Sequence, residues 1–108
     1  MAKVVLTKTL KEEIFKKFKQ ESEVIFTHLK TLEKHPDKGK ILTNVGGTVI
    51  KEIKYTKFRF YCITDGYILK FGNKDELANL IIKFIKMSDK KDQQKIINEI
   101  KEFLKLDE

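Results

Sequence analysis

The stretch TVIKEIKYTKFRFYCITDG, residues 48–66, decides the fold. Two strand-like runs, TVIKEIKY and KFRFYCIT, meet at Thr56-Lys57, and β-branched and aromatic residues dominate both. With Thr56-Lys57 as a two-residue turn, Tyr55 stands opposite Phe58, Lys54 opposite Arg59 and Glu52 opposite Tyr61. Asp65-Gly66 reads as a second two-residue turn, after which YILKFG (67–72) runs back as a strand. That register puts Ile63 opposite Ile68, Tyr61 opposite Lys70 and Phe60 opposite Phe71.

Alternation along the strands then sorts two faces. Ile53, Tyr55, Phe58, Phe60, Cys62, Leu69 and Phe71 share one, which reads as a core. Lys51 falls on that side and is expected near an edge. The other face collects Glu52, Lys54, Arg59, Tyr61 and Lys70, with Ile50, Ile63 and Ile68 toward one end. Arg59 is the only arginine among 23 basic residues, and it stands at the centre of this cluster. Its planar fork suits a phosphate better than a lysine does.

Outward from this segment, KVVLT (3–7) reads as a first strand. A helical pattern starting at Thr7 or Thr9 carries Leu10, Ile14 and Phe18. A second stripe, Ile25, Leu29 and Leu32, follows, with Ser22 as its expected cap, so the pair reads as a helical hairpin. His28 is expected beside that stripe. Pro36 and Gly39 end it, and TNVGGT (43–48) reads as a flexible connection without the spacing of a phosphate-binding loop. Asn73 and Glu76 form a capping box ahead of a helix over 74–87, carried by Leu77, Leu80, Ile81, Phe84 and Ile85. Ser88 or Asp89 caps a last helix carrying Ile96, Ile97, Ile100, Phe103 and Leu104. The expected order is β-α-α-β-β-β-α-α: an α+β fold in which the helical hairpin packs on a small antiparallel sheet.

Composition sets the outer limits. The 108 residues suit one domain, 1–108, and 41 % hydrophobic with 36 % charged residues suits a globular chain. No run is long and apolar enough for a membrane span, and the N-terminus shows no secretory signal. One cysteine allows no internal disulfide and fits a reducing, cytoplasmic setting. Two histidines seven residues apart do not make a metal site, and no cofactor is implied. Net charge is +7, densest over residues 36–60, which hold six basic and two acidic residues. A basic patch of this kind fits a polyanion such as nucleic acid.

The paired strands also hold the parts for metal-free RNA cleavage. Clustered Lys and Arg can stabilise charge on phosphorus oxygens, and Glu52, Tyr61 or a lysine depressed by its neighbours can move protons. Candidate catalytic residues are therefore Glu52, Lys54, Arg59 and Tyr61. Lys51, Lys57, Lys70, Lys86, Lys90 and Lys91 are candidates for holding RNA phosphates. The same set could also hold a backbone without cutting it.

The run LKTLEKHPDKGKIL…GGTVIKEIKYTKFRFYCITDG resembles the RelE/ParE superfamily of toxins from toxin–antitoxin systems, with KFRFY as its most specific part. The resemblance implies a metal-independent, ribosome-dependent mRNA endonuclease acting in the ribosomal A site and neutralised by an acidic cognate antitoxin. It maps the family's strand arginine onto Arg59 and its preceding basic residues onto Lys54 and Lys51. Two features depart from the family pattern. Residues 72–108 hold neither the Tyr nor the His that active members often carry near the C-terminus, and the segment 74–87 is long. Aligning LIIKFIKMSDKK with the family would make it a last strand, but the helical spacing and the Asn73 cap favour a helix. Alternative functions are a non-catalytic or ParE-like binding module on the same fold, or a small basic nucleic-acid-binding protein.

Overall fold

The computed structural model describes residues 1–106; Asp107 and Glu108, the end of the expected domain, lie outside the described residues. The chain is α+β. Strands β1 (Lys3–Leu6), β2 (Lys40–Val45), β3 (Thr48–Tyr55), β4 (Phe58–Asp65) and β5 (Ile81–Asp89) form one sheet ordered β1-β5-β4-β3-β2. It is antiparallel except for β1, which runs parallel to β5 with Lys3 opposite Ile81 and Leu6 opposite Phe84. The helices are α1 (Lys8–Phe18), α2 (Ser22–Lys30), α3 (Gly66–Phe71), α4 (Lys74–Ala78) and α5 (Gln93–Leu106). None of those described is long and apolar enough to cross a membrane.

The hairpin of β3 and β4 has the register read from the sequence: Tyr55 faces Phe58, Lys54 faces Arg59 and Glu52 faces Tyr61. Its turn is held although Thr56 adopts φ 51°, a conformation that costs a β-branched residue. A second hairpin precedes it. Gly46 and Gly47, at φ 57° and 89°, turn β2 into β3, so the residues expected to be a flexible connection end a strand instead. Two adjacent positive φ values are what a two-residue hairpin of this hand requires, and Gly-Gly meets both at no steric cost.

Two expected elements are corrected. Asp65-Gly66 starts a helix rather than a hairpin: the Asp65 carboxylate accepts from Ile68 N at 3.0 Å and so caps α3. A side chain on Gly66 would meet Val49 Cγ2 at 2.7 Å, so glycine is needed here for close approach to the neighbouring hairpin. The capping box of Asn73 and Glu76 is present, but the helix it starts ends at Ala78. Residues 81–89 are β5, the last strand that the family alignment offers. Ile82 and Phe84 are wholly buried while Ile81 and Lys83 are exposed, an alternation of period two. β-Branched Ile81, Ile82 and Ile85, in a strand whose Lys83 and Phe84 have partners in both β1 and β4, outweigh a spacing that also fitted a helix.

Two layers of helix enclose the sheet. Leu10 and Ile14 of α1 and Ile25 and Leu29 of α2 pack with Ile53, Phe60, Cys62, Ile82 and Phe84 on one face. Of the two expected starts of the first helix, Thr7 is the cap: its hydroxyl accepts from Leu10 N at 3.2 Å. Ser22 does not cap α2: its hydroxyl donates to Ile14 O at 3.2 Å and ties the two helices together. On the opposite face, Ile97 and Ile100 of α5 pack on Ile50 and Tyr61. A bulge places Ile85 between the partners of Tyr61 and Cys62, which lets Ile85 join this second core while Met87 joins the first.

Candidate functional site

The Glu52–Arg59–Tyr61 face is assembled as the alternation indicates, but it is not open. Helix α5 lies across it, and Glu52, Arg59 and Tyr61 are 7 %, 9 % and 0 % exposed. Arg59 Nε sits 2.7 Å from Glu52 Oε1, the only buried ion pair among the described residues. Gln93, at the start of α5, donates its Nε2 to the other carboxylate oxygen at 2.7 Å. The carboxylate thus bridges the sheet to the helix that covers it. A terminal nitrogen of Arg59 reaches the Phe58 carbonyl only at 3.4 Å. These two contacts use two of the five guanidinium donors.

Tyr61 completes the cluster from its other side. Its hydroxyl lies 2.7 Å from Ser88 Oγ, which itself donates to the Asp89 carbonyl at 2.8 Å. Since a serine hydroxyl has one proton to give, Tyr61 is the donor in the first contact. Burial raises the pKa of Tyr61 and the Glu52 charge adds to the rise, against Arg59. The phenol is therefore held protonated at neutral pH.

The remaining sequence candidates separate into three groups. Lys54, opposite Arg59, is exposed, and so are Lys57 in the β3–β4 turn and Lys90 and Lys91 beyond β5. Phe58 pairs with Asp89, so Lys57 and Lys90 leave the sheet side by side. Lys17 of α1 joins them: its Nζ and that of Lys57 stand 5.1 and 5.6 Å from the centre of the Phe58 ring. A groove of about 370 Å³ opens here, lined by Lys16, Lys17, Phe58, Met87 and Ser88, with Glu13, Asp89 and Asp92 as its acidic members. This lysine-rimmed end of the sheet adjoins the buried Arg59, which pairs with Ser88.

Lys51 and Lys70 do not belong to it. Lys51 is 1 % exposed on the first-core side, where its Nζ donates to Pro36 O at 2.6 Å and anchors the loop after α2. Burial lowers its pKa, against the nearby Asp37 carboxylate. Lys70 is on α3 rather than on a strand beside Tyr61, and its Nζ lies 5.3 Å from the Phe71 ring centre. Lys86 is exposed, 3.9 Å from Glu99. His28, at the edge of the first core, contacts the Lys54 carbonyl through Nε2 at 3.0 Å.

Ser88, expected as a cap of the last helix but lying within β5, and Gln93 are site members that the sequence did not place at the site. The signal was the polar run SDKKDQQ after an apolar segment, visible as a site only once 81–89 is a strand. Among the described residues no group of three His, Cys, Asp or Glu side chains is placed to hold a metal ion.

No protein family, no curated protein and no solved structure matches this chain.

Proposed function

We propose that the chain is a toxin of RelE type, a metal-independent endonuclease that acts on mRNA at the ribosome and is neutralised in the cytoplasm by a cognate antitoxin. The observation that carries this reading is the position of Arg59. The chain's single arginine sits behind a rim of exposed lysines, Lys54, Lys57, Lys90 and Lys91, with donors to spare for a phosphate. The element order also fits the family resemblance better once residues 81–89 are the last strand.

In this reading the lysine rim binds the phosphate backbone, and Arg59 and Lys54 stabilise charge developing on the scissile phosphate. Tyr61, held protonated, is the candidate acid for the departing 5′ oxygen, and Glu52 the candidate base for the attacking 2′-OH. Expression without any antitoxin should arrest growth and translation, and Arg59→Ala should relieve the arrest in a protein whose circular dichroism still reports a fold. A harmless wild type would overturn the proposal.

One observation favours a second reading. Tyr61 is wholly buried with its hydroxyl already engaged, and Glu52 is bonded on both oxygens. A non-catalytic binding module on the same fold needs neither group free. Growth arrest without mRNA cleavage would select that alternative.

A further inference from the structure

Three depressions follow one another along β5. The groove at Phe58 and Ser88 shares Glu13 with a second, of about 400 Å³, between α5 and the start of α1. The second shares Ile63 and Lys83 with a third, of about 490 Å³, beside the Gly46-Gly47 turn and α3. β5 has nine residues, so the track is roughly 26 Å long at the usual strand rise. Lys16 and Lys17 line it at one end, beside Glu13, Asp89 and Asp92, and Lys83 and Lys86 further along, where Lys86 lies 3.9 Å from Glu99.

The far end carries the two most exposed aromatic side chains among the described residues. Tyr67 and Phe71 are 68 % and 64 % exposed, with ring centres 5.3 Å apart, and Ile81 is 55 % exposed beside them. Lys70 stands over Phe71, and Lys83 lines the same depression as Tyr67. Two nearby carboxylates are occupied as helix caps: Asp65 on Ile68 N, and Glu76 on Asn73 N. Exposed rings flanked by Lys70 and Lys83, at the end of a groove of mixed charge, match the two needs of a single strand: π-faces for its bases and cations for its phosphates.

The geometry points to a single-stranded RNA track along β5, running from the lysine rim at Phe58 to a base-stacking platform made by Tyr67 and Phe71. This rests on the reading that the chain binds RNA, and it assigns the strand a path across the molecule. It also gives Lys70, Lys83 and Lys86 a common role that their scattered positions in the sequence do not indicate.

The test is fluorescence anisotropy of the full chain with a fluorescein-labelled, unstructured oligouridine at about 50 mM salt, where phosphate contacts are strong. Tyr67→Ala/Phe71→Ala, both exposed and so free of a folding penalty, should weaken binding about 5- to 150-fold, the loss of roughly one stacked base. A 4-thiouridine oligomer should photo-crosslink to Tyr67 or Phe71, located by mass spectrometry. Unchanged affinity in this variant, alongside weakened binding by Lys57→Glu/Lys90→Glu, would overturn the platform while leaving RNA binding intact. Unchanged affinity with loss of self-association in sedimentation would assign the patch to contact between copies and equally overturn it. Absence of oligomer binding by the wild type would overturn both the track and the RNA reading beneath it.

Discussion

Removing either partner of the Glu52–Arg59 pair should destabilise the protein far more than removing both. At 2.7 Å and an effective dielectric of about 20, the attraction is roughly 6 kcal/mol, most of it offset by the desolvation of two side chains only 7 % and 11 % exposed. Glu52→Leu leaves a buried guanidinium and an unpartnered Gln93 amide, which should cost about 3–5 kcal/mol. Arg59→Met leaves the carboxylate with Gln93 as its one side-chain partner and should cost about 3 kcal/mol. The double variant puts apolar volume where the pair was and should lie within about 1–2 kcal/mol of the wild type. The coupling energy is then at least about 3 kcal/mol, large beside the roughly 5–15 kcal/mol by which a domain of this size is stable. Urea unfolding followed by far-UV circular dichroism, extrapolated linearly at constant m, measures all four corners of the cycle. Single losses below about 1 kcal/mol that simply add in the double variant would show a solvated surface pair and refute the latch between sheet and α5.

Three further outcomes are expected. Lys19, at φ 52° and ψ −116° between α1 and α2, occupies backbone space suited to glycine, so Lys19→Gly should raise stability by about 1 kcal/mol in the same urea assay. Cys62 is wholly buried and its thiol is pushed up to about 12, so the native protein should react with a disulfide reagent only as fast as it unfolds. Because the unfolded thiol ionises from about pH 9 while the folded one keeps its proton, stability should fall as pH rises from 9 toward 12. Cys62→Ala should remove that fall; Lys51, whose folded pKa is lowered, contributes with the opposite sign below 10.5 in both proteins. Finally, Lys57→Ala, Lys90→Ala and Lys91→Ala should each weaken single-strand RNA binding and flatten the slope of log K against log salt by about 0.7, which titration at several salt concentrations reads directly. An unchanged slope would remove these lysines from the interface.

The sequence made the β3–β4 register legible because two faces of opposite character alternate along both strands and a two-residue turn is the only connection between them. It also made α5 legible, through Ile96, Ile97 and Ile100 at helical spacing. What it left ambiguous has a common cause. Leu80 and Phe84 satisfy a helical period and a strand period at once, and only pairing with β1 and β4, far away in sequence, decides between them. Asp65-Gly66 is likewise a good hairpin turn and a good helix start, and the helix wins because Gly66 packs against the hairpin at Gly47. At the site, alternation brought Glu52, Arg59 and Tyr61 to one face correctly. It could not show that face to be covered, because the covering helix arrives from forty residues downstream through Gln93. The same switch of residues 67–71 from strand to helix moved Lys70 away from Tyr61 and exposed the aromatic pair Tyr67 and Phe71.

The most direct test of the central claim is primer extension on an mRNA translated in a purified ribosomal system. The wild-type protein should produce discrete new 5′ ends within the translated reading frame and none when ribosomes are omitted. Arg59→Lys, which keeps the charge and loses the bidentate fork, should abolish them while remaining folded. Intact mRNA with the wild type, or cleavage undiminished in Arg59→Lys, would contradict the account.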